Sequence, residues 1–172
     1  RVQAASEGAA LMTGTEVTRK FLSRGYETLI NHTLSGLIHK VMTELPAPKF
    51  SEEEKAFAKK LAEAMQIPGA SGSLKEGVEP LLGHVEHSLG STDMSDVSQL
   101  VPTGSFTAVC APHGTPLHHW SLTANAGYTT GQKGMIYAAQ VMAEAGYILA
   151  TDSNLLSEAQ DEFKKTAKGW WA

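Results

Sequence analysis

Thr15, Val17, Arg19 and Phe21 alternate with Glu16, Thr18, Lys20 and Leu22, a period of two rich in β-branched residues that predicts a strand over about residues 10–22. Arg24, Gly25 and Tyr26 break the alternation. Leu34, Leu37, Ile38, Val41, Met42 and Leu45 then follow at spacings of three and four, the mark of a helix with one apolar face, and Pro46 and Pro48 end it. Ser51 with Glu54 three residues later has the form of a capping box, opening a second helix that turns Phe57, Leu61 and Met65 inward until Pro68 and Gly69 close it. Residues 67–90 have no clean period and are expected to be loop. The short apolar runs Val97 to Val101, Ser105 to Ala111 and Trp120 to Ala124 predict three buried strands. Gly134 to Ala150 predicts an almost wholly apolar helix, and Ser153 is expected to cap a last one with Leu155, Leu156, Ala159 and Phe163 inward and Lys164, Lys165 and Lys168 near its end. Strands and helices so mixed, without internal repeats, point to an α/β or α+β sandwich rather than a bundle or barrel.

Composition narrows the function. A length of 172 residues suits one domain with room for a small appendage. With 42% hydrophobic and 19% charged residues the chain should fold rather than stay disordered. The net charge is −4 and the basic residues are scattered, so nucleic acid is not the expected partner. The single cysteine, Cys110, rules out an intramolecular disulfide framework and, with no signal-peptide pattern at the start, implies the cytoplasm. Met135 to Ala150 is interrupted by Gln140 and Glu144 and is too short for a bilayer crossing, so no membrane role is expected. The chain opens on Arg1 directly into a Gly/Ala-rich segment, which suggests a piece of a longer protein.

The residues able to do chemistry concentrate in the middle third. Gly90-Ser91-Thr92-Asp93-Met94-Ser95-Asp96-Val97-Ser98 brings carboxylates, and Ala111-Pro112-His113-Gly114-Thr115-Pro116-Leu117-His118-His119-Trp120 brings imidazoles. Both are ligands for zinc or manganese when turns let them converge. Neighbours on an extended backbone point to opposite faces, so His118 and His119 are not expected to serve one site, and His118 is the stronger candidate. The competing reading is that these histidines cap loops and bond backbone carbonyls, and that Asp93 and Asp96 form turns. His84 and His87 have the spacing of one helical face but are tightly bracketed by Gly83 and Gly90. Cys110 lies in an apolar run with no basic neighbour and is expected to be a buried, inert thiol.

Gly8-Ala9-Ala10-Leu11-Met12-Thr13-Gly14-Thr15, Gly90-Ser91-Thr92-Asp93, Asp96-Val97-Ser98, Gly114-Thr115-Pro116-Leu117-His118 and Lys133-Gly134-Met135 with Ala138-Ala139 and Val141-Met142-Ala143, taken in this order, resemble the C-terminal part of the p-aminobenzoyl-glutamate hydrolase group. That group belongs to the amidohydrolases related to carboxypeptidase G and the aminoacylases. The resemblance implies part of a two-metal, exopeptidase-like catalytic domain of three α/β/α layers, with residues 1–22 as a closing strand of an inserted dimerisation domain and 23–172 as the second half of the catalytic domain. It implies an enzyme that cleaves the amide of an N-acyl amino acid such as p-aminobenzoyl-glutamate, using two divalent ions, zinc or manganese. His118 matches the late metal-ligating histidine, whereas relatives place Ser or Thr where His119 stands. Asp93 is implied as a residue that orients a ligand or substrate, Asp96 less so, and Asn31 and Arg24 as substrate contacts near the hinge. The other ligands and the general base belong to an earlier segment, and Glu52-Glu53-Glu54 does not replace them because it is expected to open a solvated helix. No catalytic residue is therefore expected within these 172, which should be inactive alone and should partner the other half of the same protein, as a homodimer. The alternative is a non-catalytic binding or assembly module that kept the fold without the metal chemistry.

Overall fold

The strand predicted over residues 10–22 does not form, and the alanines of residues 2–10 build a helix ahead of it that runs into its first residues. In the computed structural model, which describes residues 1–23, 25–81 and 90–167, the chain begins with helix α1, Val2–Thr13. Alanine is the strongest helix former, and the helix ends where Gly14 takes up a left-handed conformation, φ 64°, that costs other residues energy. The alternating residues 15–22 that follow are exposed and lie in neither helix nor strand. A strand is held by hydrogen bonds to a neighbour, and none is present here among the described residues. No residue of α1 is buried.

The α/β expectation fails throughout, since the described residues contain seven helices and no strand. Val97 lies in the short helix α4, Met94–Ser98, and Trp120 to Ala124 lies in α5, Trp120–Ala126. Residues 105–111 belong to no helix but pair with no second strand. A short apolar run reads alike as buried strand or buried helix, so periodicity could not separate the two.

The helical expectations fare better. α2, His32–Glu44, buries Leu34, Leu37 and Val41, and α3, Glu52–Met65, carries the full capping box between Ser51 and Glu54. The long apolar helix is α6, Thr129–Thr151, and the last is α7, Ser153–Thr166. Asp152 rather than Ser153 caps α7, accepting from Asn154 N and Leu155 N. The core lies where α2, α6 and α7 pack, around Leu37, Val41, Tyr137, Val141 and Ala145. Phe106 and Ala108 of the non-helical segment pack against it. That segment passes close to α6 at Gly134, where a Cβ would sit 2.5 Å from both Cys110 Sγ and Val109 O. Tyr137 reaches out of the core to donate its hydroxyl to Met42 O at 2.7 Å.

Candidate functional site

The loop leading to His118 is fixed by its backbone. His113 N donates to Ser73 O at 2.8 Å, and Thr115 N closes a turn on Pro112 O. Gly114 has φ 87° and lies against Ala70 so closely that a Cβ would stand 2.7 Å from Ala70 Cα. Position and conformation both require glycine there. The loop is thus fastened to residues 70–73, just beyond α3.

At its end the two neighbouring histidines have different surroundings. His119 is the N-cap of α5: its Nδ1 accepts from Ser121 N at 3.4 Å and lies 2.7 Å from Ser121 Oγ, with its ring 5.3 Å from that of Trp120. His118 is exposed, and no described hydrogen bond or ion pair involves its ring. The fold engages His119 at the helix cap and leaves the His118 imidazole exposed.

Asp93 is exposed at the N-terminus of α4, where its backbone carbonyl, not its side chain, accepts from Asp96 N and Val97 N. The next turn is a clamp. Asp96 Oδ1 accepts from Tyr26 N at 3.1 Å, Ser98 Oγ from Leu29 N at 2.8 Å, and Gln99 Nε2 donates to Glu27 O at 2.7 Å. These three bonds tie α4 to the segment that runs into Asn31. Asn31 is buried and bonded on both sides of its amide, its Oδ1 accepting from Leu34 N as the cap of α2 and its Nδ2 donating to Ala159 O at 2.9 Å. Beside it Glu162 accepts from His32 N, Thr33 N and Thr33 Oγ1. Burial pushes the Glu162 carboxyl up, but the Thr33 and His32 donors outweigh it and hold the group below its ordinary value.

Arg24, His84 and His87 lie outside the described residues. No described contact joins His118 to Asp93 or to Asn31. Among the described residues no three His, Cys, Asp or Glu side chains are grouped to hold a metal ion. Cys110 is half-buried, and burial pushes its thiol above its ordinary value.

The pattern of the sequence missed one buried ionic site. Glu54 does not stand on a solvated face: only 4% of its side chain is exposed, and its Oε2 accepts from Lys133 Nζ and from Ser51 N, each at 2.7 Å. Lys133 also donates to Lys49 O at 2.9 Å. Burial pushes the Glu54 carboxyl up, but Lys133, Thr129 and Ser51 together overcome it and lower the group to about 2. The capping box was the available signal, because it already turned the Glu54 carboxylate back toward the chain. Lys133 could not be assigned to it across 79 residues of sequence.

Over 188 aligned residues the chain is 32% identical to a subunit of p-aminobenzoyl-glutamate hydrolase from Escherichia coli (strain K12), an alignment that takes in 96% of the chain. Nearly the whole chain is thus similar to part of that hydrolase subunit. The resemblance carried by the five motifs therefore holds. The chain spans 39% of the length of the Escherichia coli protein. No protein-family model and no solved structure matches it. No helix of the described residues is long and apolar enough to cross a membrane.

Proposed function

We propose that these 172 residues are part of an amidohydrolase that cleaves the amide bond of an N-acyl amino acid such as p-aminobenzoyl-glutamate, and that they are inactive alone. The observation that carries this reading is the similarity to the hydrolase subunit, which extends over nearly the whole chain while covering well under half of the relative. His118 contributes one imidazole to a centre of two divalent ions, zinc or manganese, whose other ligands and general base lie outside these residues. The different use of the two histidines supports this assignment, since His119 is engaged at a helix cap and His118 is exposed. The clamp from α4 to residues 26–29 holds the Asn31 segment in place, so Asn31 acts by positioning rather than by touching substrate. Asp93 and Arg24 remain the residues proposed to face a ligand. The whole enzyme is proposed to act in the cytoplasm as a homodimer.

The test is made in the longer polypeptide that carries this sequence, with p-aminobenzoyl-glutamate as substrate and metal content measured in parallel. His118→Ala should lower kcat/KM by at least the roughly 10–100-fold that losing even an outer-shell partner of a metal causes, with one ion less tightly held and the melting curve unchanged. His119→Ala should lower the melting temperature and keep the metal. Full activity and metal content in His118→Ala would overturn the assignment, and failure of the parent protein to hydrolyse any N-acyl amino acid would overturn the hydrolase reading itself.

A further inference from the structure

α6 is apolar on two opposite faces, and these residues cover only one of them. Tyr137, Val141 and Ala145 face the core. On the far side, about half a turn away, Ala139, Ala143 and Gly146 form a stripe of small residues flanked by Met135 and Met142 on one side and Tyr147 on the other. The three large side chains are 63%, 66% and 65% exposed. Between Gly134 and Thr151 the only charged residue is Glu144, which does not lie on that stripe. The result is an exposed, uncharged helix face with small residues along its middle, onto which a backbone can approach closely, bordered by flexible or aromatic side chains. A helix hydrophobic all round is ordinarily buried all round, and a solvated face would carry charges at these positions. At Gly146 a Cβ would meet nothing within 4 Å, so nothing in this packing demands the absence of a side chain there.

We propose that the Met135/Met142/Tyr147 face of α6 is an internal docking surface for the part of the longer hydrolase polypeptide that lies outside these 172 residues. The proposal rests on the reading above that such a polypeptide exists. The length of the relative argues for this occupant: 61% of the Escherichia coli protein, the remainder of the 39% matched, has no counterpart in this chain. A cover supplied by the same polypeptide also explains an uncharged face better than a transient partner would, because surfaces that separate carry a polar rim. The occupant is an apolar element without charge on its contacting face, bulky opposite Ala139 and Ala143.

Met142→Cys reports on the face directly, using the rate of maleimide labelling relative to the urea-unfolded protein. In the 172-residue chain at low concentration the new thiol should react near the unfolded rate; in the longer polypeptide it should be protected by roughly 100-fold, as a buried site opening only by fluctuation would be. Ala143→Arg should lower the melting temperature of the longer polypeptide and leave that of the 172-residue chain nearly unchanged. Equal labelling rates in the two proteins would overturn the proposal. Protection in the 172-residue chain that disappears on dilution would overturn it in favour of a second copy, as would a native polypeptide consisting of these 172 residues only. A protected Met142→Cys in a longer protein without hydrolase activity would leave the docking surface standing and sink the hydrolase reading alone.

Discussion

Replacing Lys133 with methionine would remove the positive charge that faces Glu54 while keeping a long apolar stem over the Phe50 ring, whose centroid lies 5.8 Å from Nζ. Breaking a buried ion pair from one side costs about 3–5 kcal/mol, whereas exposed pairs contribute about 0–1 kcal/mol. Here the carboxylate is almost enclosed, but 40% of the Lys133 side chain is exposed, so solvent already screens one end. Glu54 also keeps its bond from Ser51 N after the substitution. The expected loss is therefore intermediate, about 2 kcal/mol. Urea unfolding of the single variants Lys133→Met and Glu54→Gln and of the double variant, followed by far-UV circular dichroism, isolates the pair, and its coupling should be about 1–2 kcal/mol. The acid side gives an independent check. Glu54 is held at about 2 in the folded chain against an ordinary value of 4.5, so between these values the unfolded state binds more protons and stability rises with pH. The contribution is complete above about pH 4.5 and is lost as pH falls toward 2. In Lys133→Met burial acts against weaker opposition, the carboxyl titrates higher, and the stability lost between about pH 5 and pH 3 should shrink. A coupling below about 0.3 kcal/mol, or an acid profile in the parent protein indistinguishable from that of Glu54→Gln, would refute the reasoning.

Other substitutions test single contacts. Asn31→Ala removes both the cap of α2 and the buried bond to Ala159 O, and should cost about 2–3 kcal/mol in urea unfolding. His119→Ala should cost about 0.5–2 kcal/mol as a lost cap, while His118→Ala in the 172-residue chain should fall within about 0.5 kcal/mol of the parent. Gly134→Ala should lose about 1–3 kcal/mol, because its methyl would strike Val109 O and Cys110 Sγ. Gly146→Ala, with open space at its Cβ, should instead gain up to about 1 kcal/mol in the 172-residue chain, and thermal melting separates the pair.

Local chemistry was legible in the sequence wherever it acts over three or four residues. The Ser51 and Glu54 capping box, the apolar spacing from Leu34 to Leu45 and the long apolar run after Gly134 each specified a helix, because capping bonds and helical faces close within a turn or two. The motifs likewise carried the similarity to the hydrolase subunit, since such similarity is written in residue order. Strand against helix was not legible in this way. The alternation at residues 15–22 and the apolar runs near Val97 and Trp120 are compatible with strands, but a strand exists only if a second one supplies its hydrogen bonds, and here the first run stays unpaired while the others fold into α4 and α5. The same holds for single side chains. Glu54 looked solvated until Lys133 arrived from 79 residues away, and the bond from the Asn31 amide to Ala159 O on α7 spans 128 residues that no local pattern connects. His118 and His119 were adjacent and alike in sequence; only the start of α5 engaged one and left the other exposed, because a helix N-terminus has unpaired N–H groups for a single capping residue to accept.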